Sequence, residues 1–202
     1  FATYVAVLIN AALALLALVL SGRTAYEPTG GMGDSIPDEQ RIPRGSWPVL
    51  VAIALAGATA LGTEVIWMRL LGLLLGATTY TFSLILGAVL AGLGLGSTLG
   101  SWIARSTGNP RRAFGWCQVL LMGGLAWAGY ATERSLPFWP VDPLLSGSAA
   151  VHFQLDFARC LWAVVPAALC WGASFPLALA AVAVRGRDLG RMTGVVYSAN
   201  TV

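Results

Sequence analysis

Three stretches of the chain, residues 2–20, 78–104 and 113–131, contain no charged side chain at all. Two more, 48–76 and 157–184, are interrupted only by Glu64 and Arg69 in the first and by Arg159 in the second. A helix needs roughly 20 predominantly apolar residues to cross a hydrocarbon core about 30 Å thick. All five stretches reach or approach that length. A sixth apolar pattern opens at 193 and runs to Val202. Runs of this kind leave few folds open, because a backbone in lipid must satisfy its own hydrogen bonds. The expectation is an all-α, polytopic transmembrane helix bundle, in which 48–76, 78–104 and 157–184 exceed a perpendicular span and therefore tilt, kink or project into water.

Composition supports this choice and removes others. Charged residues make up 10% of the 202, hydrophobic residues 57%, against roughly 25% charged in an ordinary soluble domain. So few charges cannot cover the surface of a soluble protein of this size. All twelve basic residues are arginine, scattered, with a net charge of +3. No basic patch for nucleic acid results. Cys117, Cys160 and Cys170 lie inside apolar runs without metal-ligand spacing and read as small core residues. His152 is the single histidine, so no metal site is expected around it. No cofactor site and no catalytic constellation is expected either.

The arginines orient the bundle. Arg23, Arg41, Arg44, Arg105, Arg111, Arg112, Arg185, Arg187 and Arg191 fall on one side under strict alternation, and Arg134 and Arg159 on the other. The positive-inside rule puts the nine-arginine side in the cytoplasm. The 21–46 stretch, rich in proline, glycine and acids, reads as a flexible cytoplasmic linker. It divides the chain into 1–20, read as the last helix of a preceding half, and 47–202, read as a second bundle with helices 48–76, 78–104, 113–131, 157–184 and a cut helix from 193. The chain is thus expected to be a piece of a longer one, with its missing helices and the lipid bilayer as partners.

Polar residues inside the apolar runs are the candidate pathway groups. Glu64 is the foremost, since an ionised carboxylate in mid-membrane costs several kcal/mol unless it is paired or wet. Arg69 lies five residues on, about 140° around the helix. The two are therefore not an ideal pair, and at least one is expected to find its partner on another helix. Thr78, Thr79, Tyr80, Gln118 and Asn200 complete the polar set. Gly92, Gly96 and Gly100 recur at four-residue spacing on one face, which suits close helix packing. The Gly92-Leu93-Gly94-Leu95-Gly96-Ser97 run lacks the strand and acidic residue of a dinucleotide site.

Several of these residues carry a resemblance. The Gly100–Arg105–Gly108 spacing matches the cytoplasmic loop between the second and third helices of major facilitator transporters, with Ala104 where an acid is usual. The run from Ala60-Leu61-Gly62-Thr63-Glu64 through Trp67 and Arg69 to Leu71, the run Gly76 to Phe82, and the run Ala91 to Ser97 resemble the membrane region of spermidine synthase-like proteins. Gly172-Ala173-Ser174-Phe175-Pro176-Leu177 and the run Gly190 to Thr201 extend the likeness. Gly62-Thr63 stands where that family commonly has a tyrosine before the glutamate. The resemblance covers about 47–202. It implies half of a major facilitator-like fold, in a multi-pass protein of the bacterial inner (plasma) membrane. The implied function is movement of a small polar or cationic metabolite such as a polyamine. The alternative is a non-transporting anchor for a fused aminopropyltransferase-like domain. That soluble domain is absent from these residues, so no enzyme activity is expected of the chain itself.

Overall fold

The computed structural model describes residues 45–139, 149–183 and 189–201, with positions 7, 8, 11, 12, 15 and 19. Most of the 2–20 segment, the linker up to 44, and the stretches 140–148 and 184–188 lie outside the described residues. No strand occurs among those described. Among the described residues from 45 on, five helices follow one another: α1 (Trp47–Leu75), α2 (Thr79–Ser106), α3 (Pro110–Tyr130), α4 (Ala149–Val182) and α5 (Leu189–Thr201). A π turn over Ala131–Ser135 and a 3₁₀ turn over Leu136–Phe138 extend α3.

Local chemistry sets the helix ends. α1 stops at Gly76, whose φ of 96° is open to glycine and strained for other residues. Two residues on, the Thr78 hydroxyl accepts from the Thr81 amide at 3.3 Å and caps α2. Asn109 caps α3 by accepting from the Arg112 amide at 3.1 Å, and Pro110 occupies the first helical position. α4 continues through Pro166 and Pro176, positions where a ring removes a backbone bond and neighbouring helices restore the satisfaction.

α4 is the centre. It packs against every other helix, and Cys160, Ala163, Val164, Ala167, Ala168, Ala178 and Ala181 are buried along it. Its small residues meet glycines on both sides. Against α2, Gly92 faces Ala168, Gly96 faces Leu169 and Gly100 faces Ala173, so the residue numbers rise together and the two helices run parallel. Against α3, Arg111 reaches Ala181, Gln118 reaches Ser174 and Gly124 faces Ala167, so these two are antiparallel. Gly45, before α1, lies beside Arg111. The starts of α1 and α3 and the end of α4 therefore share one end of the bundle. Tyr80 and Phe153 bring the starts of α2 and α4 together at the other, with ring centroids 6.3 Å apart. Arg105, Arg111 and Arg112 all belong to the first end.

Among the described residues, three helices are long and apolar enough to cross a membrane: Trp47–Leu75, Thr79–Ser106 and Ala150–Val182. α3 is not among them: even past Arg111 and Arg112, its uncharged residues include Gln118 and the glycines at 115, 123, 124 and 129, which lower its apolarity. The hydropathy boundaries also shift. α4 begins at 149 and not at 157, so His152 and Asp156 sit on the helix and not in a loop. A drop in hydropathy marks where a helix leaves an apolar setting, whereas the backbone ladder continues through any residue that tolerates helical geometry. For the same reason α3 takes in Arg111 and Arg112, and α5 opens at 189 rather than 193.

Candidate functional site

The apolar helix α1 turns one face inward, with Ala56, Thr63, Trp67 and Leu71 buried. Glu64 is one residue round from Thr63 and shares a stripe with Ala60 and Met68, at four-residue spacing. All three are half-buried, so the carboxylate lies on the rim of the inward face and not at its centre. Arg69 is exposed. No ion pair joins the two, and neither finds a charged partner among the described residues. The expected partner on another helix is absent among the described residues. One residue before Glu64, the Thr63 hydroxyl is buried without a hydrogen-bond partner. Trp67 meets Trp171 of α4 edge to face, at 5.7 Å.

The polar centre of the bundle lies instead between α3 and α4. Gln118 is fully buried, and its Nε2 donates to Ser174 Oγ at 3.1 Å. Ser174 Oγ in turn donates to the Cys170 carbonyl one turn back, at 2.8 Å. The Cys117 thiol lies 3.2 Å from the same carbonyl and 3.5 Å from Ser174 Oγ. Gln118 Oε1 has no partner, and neither has the buried Nε1 of Trp171. Leaving a buried acceptor or donor unmade costs roughly 1–3 kcal/mol. At the first end of the bundle, Arg111 Nε donates to the Ala181 carbonyl at 3.2 Å. This satisfies one of the carbonyls that the last turn of α4 leaves open.

The remaining candidates scatter. Thr78 is a helix cap, and Thr79 accepts through its carbonyl from Ser83 Oγ at 2.9 Å. Tyr80 is exposed and leans on Phe153. Asn200, half-buried on α5, lays its backbone carbonyl against Gly57 of α1. Gln118, Tyr80 and Asn200 thus lie at three different helix contacts, and among the described residues no bond or ring contact joins them to one another or to Glu64. Gly92, Gly96 and Gly100 form one continuous contact: a Cβ at Gly92 would stand 2.5 Å from Ala168 Cβ, and one at Gly100 2.6 Å from Ala173 Cα.

Two groups escape a reading of the sequence. Ser174 completes the Gln118 seam, and its only sequence signal is a hydroxyl inside an apolar run. Asp156 and Arg159 pair on α4, with Nη1 to Oδ1 at 3.3 Å and side chains only 16% and 13% exposed. Their i, i+3 spacing is the available signal, hidden by the assignment of Asp156 to a loop. What fold and site together define is a class: a chain whose described residues are all-helical, three of the helices being long and apolar enough to cross a membrane. No family model matches the chain, and no curated protein or solved structure matches it either.

Proposed function

We propose that the chain is a transporter-like membrane region similar to that of spermidine synthase-like proteins, and that it moves a small polar or cationic metabolite with Glu64 as the cation-binding group. One observation carries this reading. Glu64 lies in the middle of a 29-residue apolar helix, half-buried on the rim of its packed face, without an ion pair among the described residues. A carboxylate at such depth is costly and is kept where it serves an ion or substrate path. With no internal cation beside it, its counter-charge is supplied by what it binds. The unsatisfied Thr63 hydroxyl, one residue back, offers a second polar contact.

In this reading the arginine-rich end of the bundle faces the cytoplasm of a bacterial plasma membrane, as charge asymmetry directs. The chain itself carries no catalysis, and a fused synthase domain, as the resemblance implies, would supply or consume the cargo. Uptake of a labelled polyamine into proteoliposomes tests the proposal. Glu64→Gln is expected to abolish uptake while insertion and helicity stay unchanged. Unchanged uptake would remove Glu64 from the path. Absence of uptake by the unaltered full-length protein would favour the anchoring role.

A further inference from the structure

The Asp156–Arg159 pair takes no part in the proposed transport path, and its hydrogen bonding is largely unspent. Among the described residues, one of the five guanidinium N–H donors, on Nη1, has a partner, at 3.3 Å, and Nε is buried with none. Asp156 accepts that single bond among the described residues. Yet the two side chains are 13% and 16% exposed. Withdrawing two charges from water costs several kcal/mol each, and recovery needs good geometry and further hydrogen bonds. One long bond does not provide it. Each group is held ready for a partner of opposite charge.

The surroundings indicate the level in the membrane. Aromatic rings flank the pair on both sides of α4. Phe153 and Phe157 stack at 6.0 Å with Tyr80 against Phe153. Trp162, one turn beyond Arg159, meets Trp127 at 4.9 Å and Trp139 at 6.2 Å. Trp127 Nε1 donates to the Trp162 carbonyl at 2.9 Å. Belts of tryptophan and tyrosine sit at headgroup level. This is also the end of the bundle where α2 and α4 begin, opposite Arg105, Arg111 and Arg112.

We propose that Asp156 and Arg159 form a binding site for a zwitterion of phosphoethanolamine chemistry, with the phosphate on Arg159 and the primary ammonium on Asp156. A guanidinium suits phosphate; with Nε closed off, the N–H donors on Nη1 and Nη2 that Asp156 leaves unused are the ones that would supply the bonds. The pair is neutral overall, so a zwitterion leaves no net charge buried, whereas a purely anionic headgroup would leave Asp156 facing a like charge. A choline headgroup has no N–H to give Asp156. Two sources share this chemistry: the headgroup of an aminophospholipid and free phosphoethanolamine.

Native mass spectrometry of the detergent-purified full-length protein separates them. Phosphatidylethanolamine, phosphatidylcholine and phosphatidylglycerol of matched acyl chains are added in turn. The ethanolamine lipid is expected to be retained about tenfold better than the choline lipid, the worth of one charged hydrogen bond. Asp156→Asn should erase that preference, and Arg159→Gln should weaken retention of all three lipids. The double variant Asp156→Asn/Arg159→Gln removes both charges and strands neither, so its fold survives and its ethanolamine preference should be gone. Displacement of bound lipid by excess phosphoethanolamine would assign the site to the soluble zwitterion, and persistence would assign it to the lipid. Equal retention of the three lipids by the unaltered protein, or an ethanolamine preference that outlives the double variant, would overturn the proposal.

Discussion

The two seams that α4 makes are built in opposite ways. Toward α2 it is backbone on backbone: Gly92, Gly96 and Gly100 from one helix and Gly172 from the other remove every side chain that would separate them. Toward α3 it is polar: Gln118, Ser174, Cys117 and Arg111 bond across it, with Trp127 at the far end. In lipid no hydrophobic drive separates helices from solvent, so association comes from packing and from interhelical hydrogen bonds. Among the described residues this bundle gives the α2 side glycine packing alone, and gives the α3 side hydrogen bonds beside one close approach at Gly124. The first seam has no slack, since a Cβ added at any of the four glycines would stand 2.6 Å or less from an atom of the facing helix. The second has slack in its bonding, since Gln118 Oε1 is unmet.

The sharpest way to break the comparison is therefore at Gly96. A Cβ there would collide with the backbone carbonyl of Leu169, which no rotamer change relieves. Gly96→Leu is expected to prevent α2 from docking on α4, at a cost of about 3 kcal/mol or more. Thermal unfolding in detergent, followed by size-exclusion chromatography, checks it. Gly94, two residues away, has nothing within 4 Å. Gly94→Leu is the control and should leave the melting temperature nearly unchanged.

A smaller effect is expected in the polar seam, where the direction depends on the replacement. Gln118→Ala removes a bonded amide and leaves a void, for a loss of about 2 kcal/mol. Gln118→Met keeps the volume and also removes the unsatisfied oxygen, so its change should stay under about 1 kcal/mol. If both variants unfold at the same temperature, the void counts for nothing and the lost amide bond alone sets the effect in this seam.

How much of this was legible differs between the seams. The glycine spacing is local, so Gly92, Gly96 and Gly100 could be placed on one face from periodicity alone. Their partners could not, because Ala168, Leu169 and Ala173 are small or apolar residues with no mark to distinguish them. Gln118 stood out as a polar residue in an apolar run, but its partner Ser174 is 56 positions away, and only the rotation of both helices brings them together. Glu64 was legible as an exception and not as a pair, since rim or centre depends on which neighbours α1 acquires. Asp156 and Arg159 were lost to a hydropathy boundary that placed one of them outside the helix both occupy.

The smallest effect tests whether the polar seam is a chain of independent bonds. Trp127 Nε1 donates to the Trp162 carbonyl at 2.9 Å, on a residue that is partly open at the bundle's edge. Interhelical bonds of this kind in a membrane protein average about 0.6 kcal/mol, because the alternatives also offer partners. Trp127→Phe keeps an aromatic ring against Trp162 and deletes only the donor, so a loss near that value is expected. Combining it with Gln118→Met gives the decisive measurement. The two sites are about two and a half turns apart on α3, too far to share a partner, so their effects should add to within about 0.5 kcal/mol. A combined loss well above the sum would mean that α3 rotates as a unit when either bond is cut. The polar seam would then be as indivisible as the glycine seam opposite.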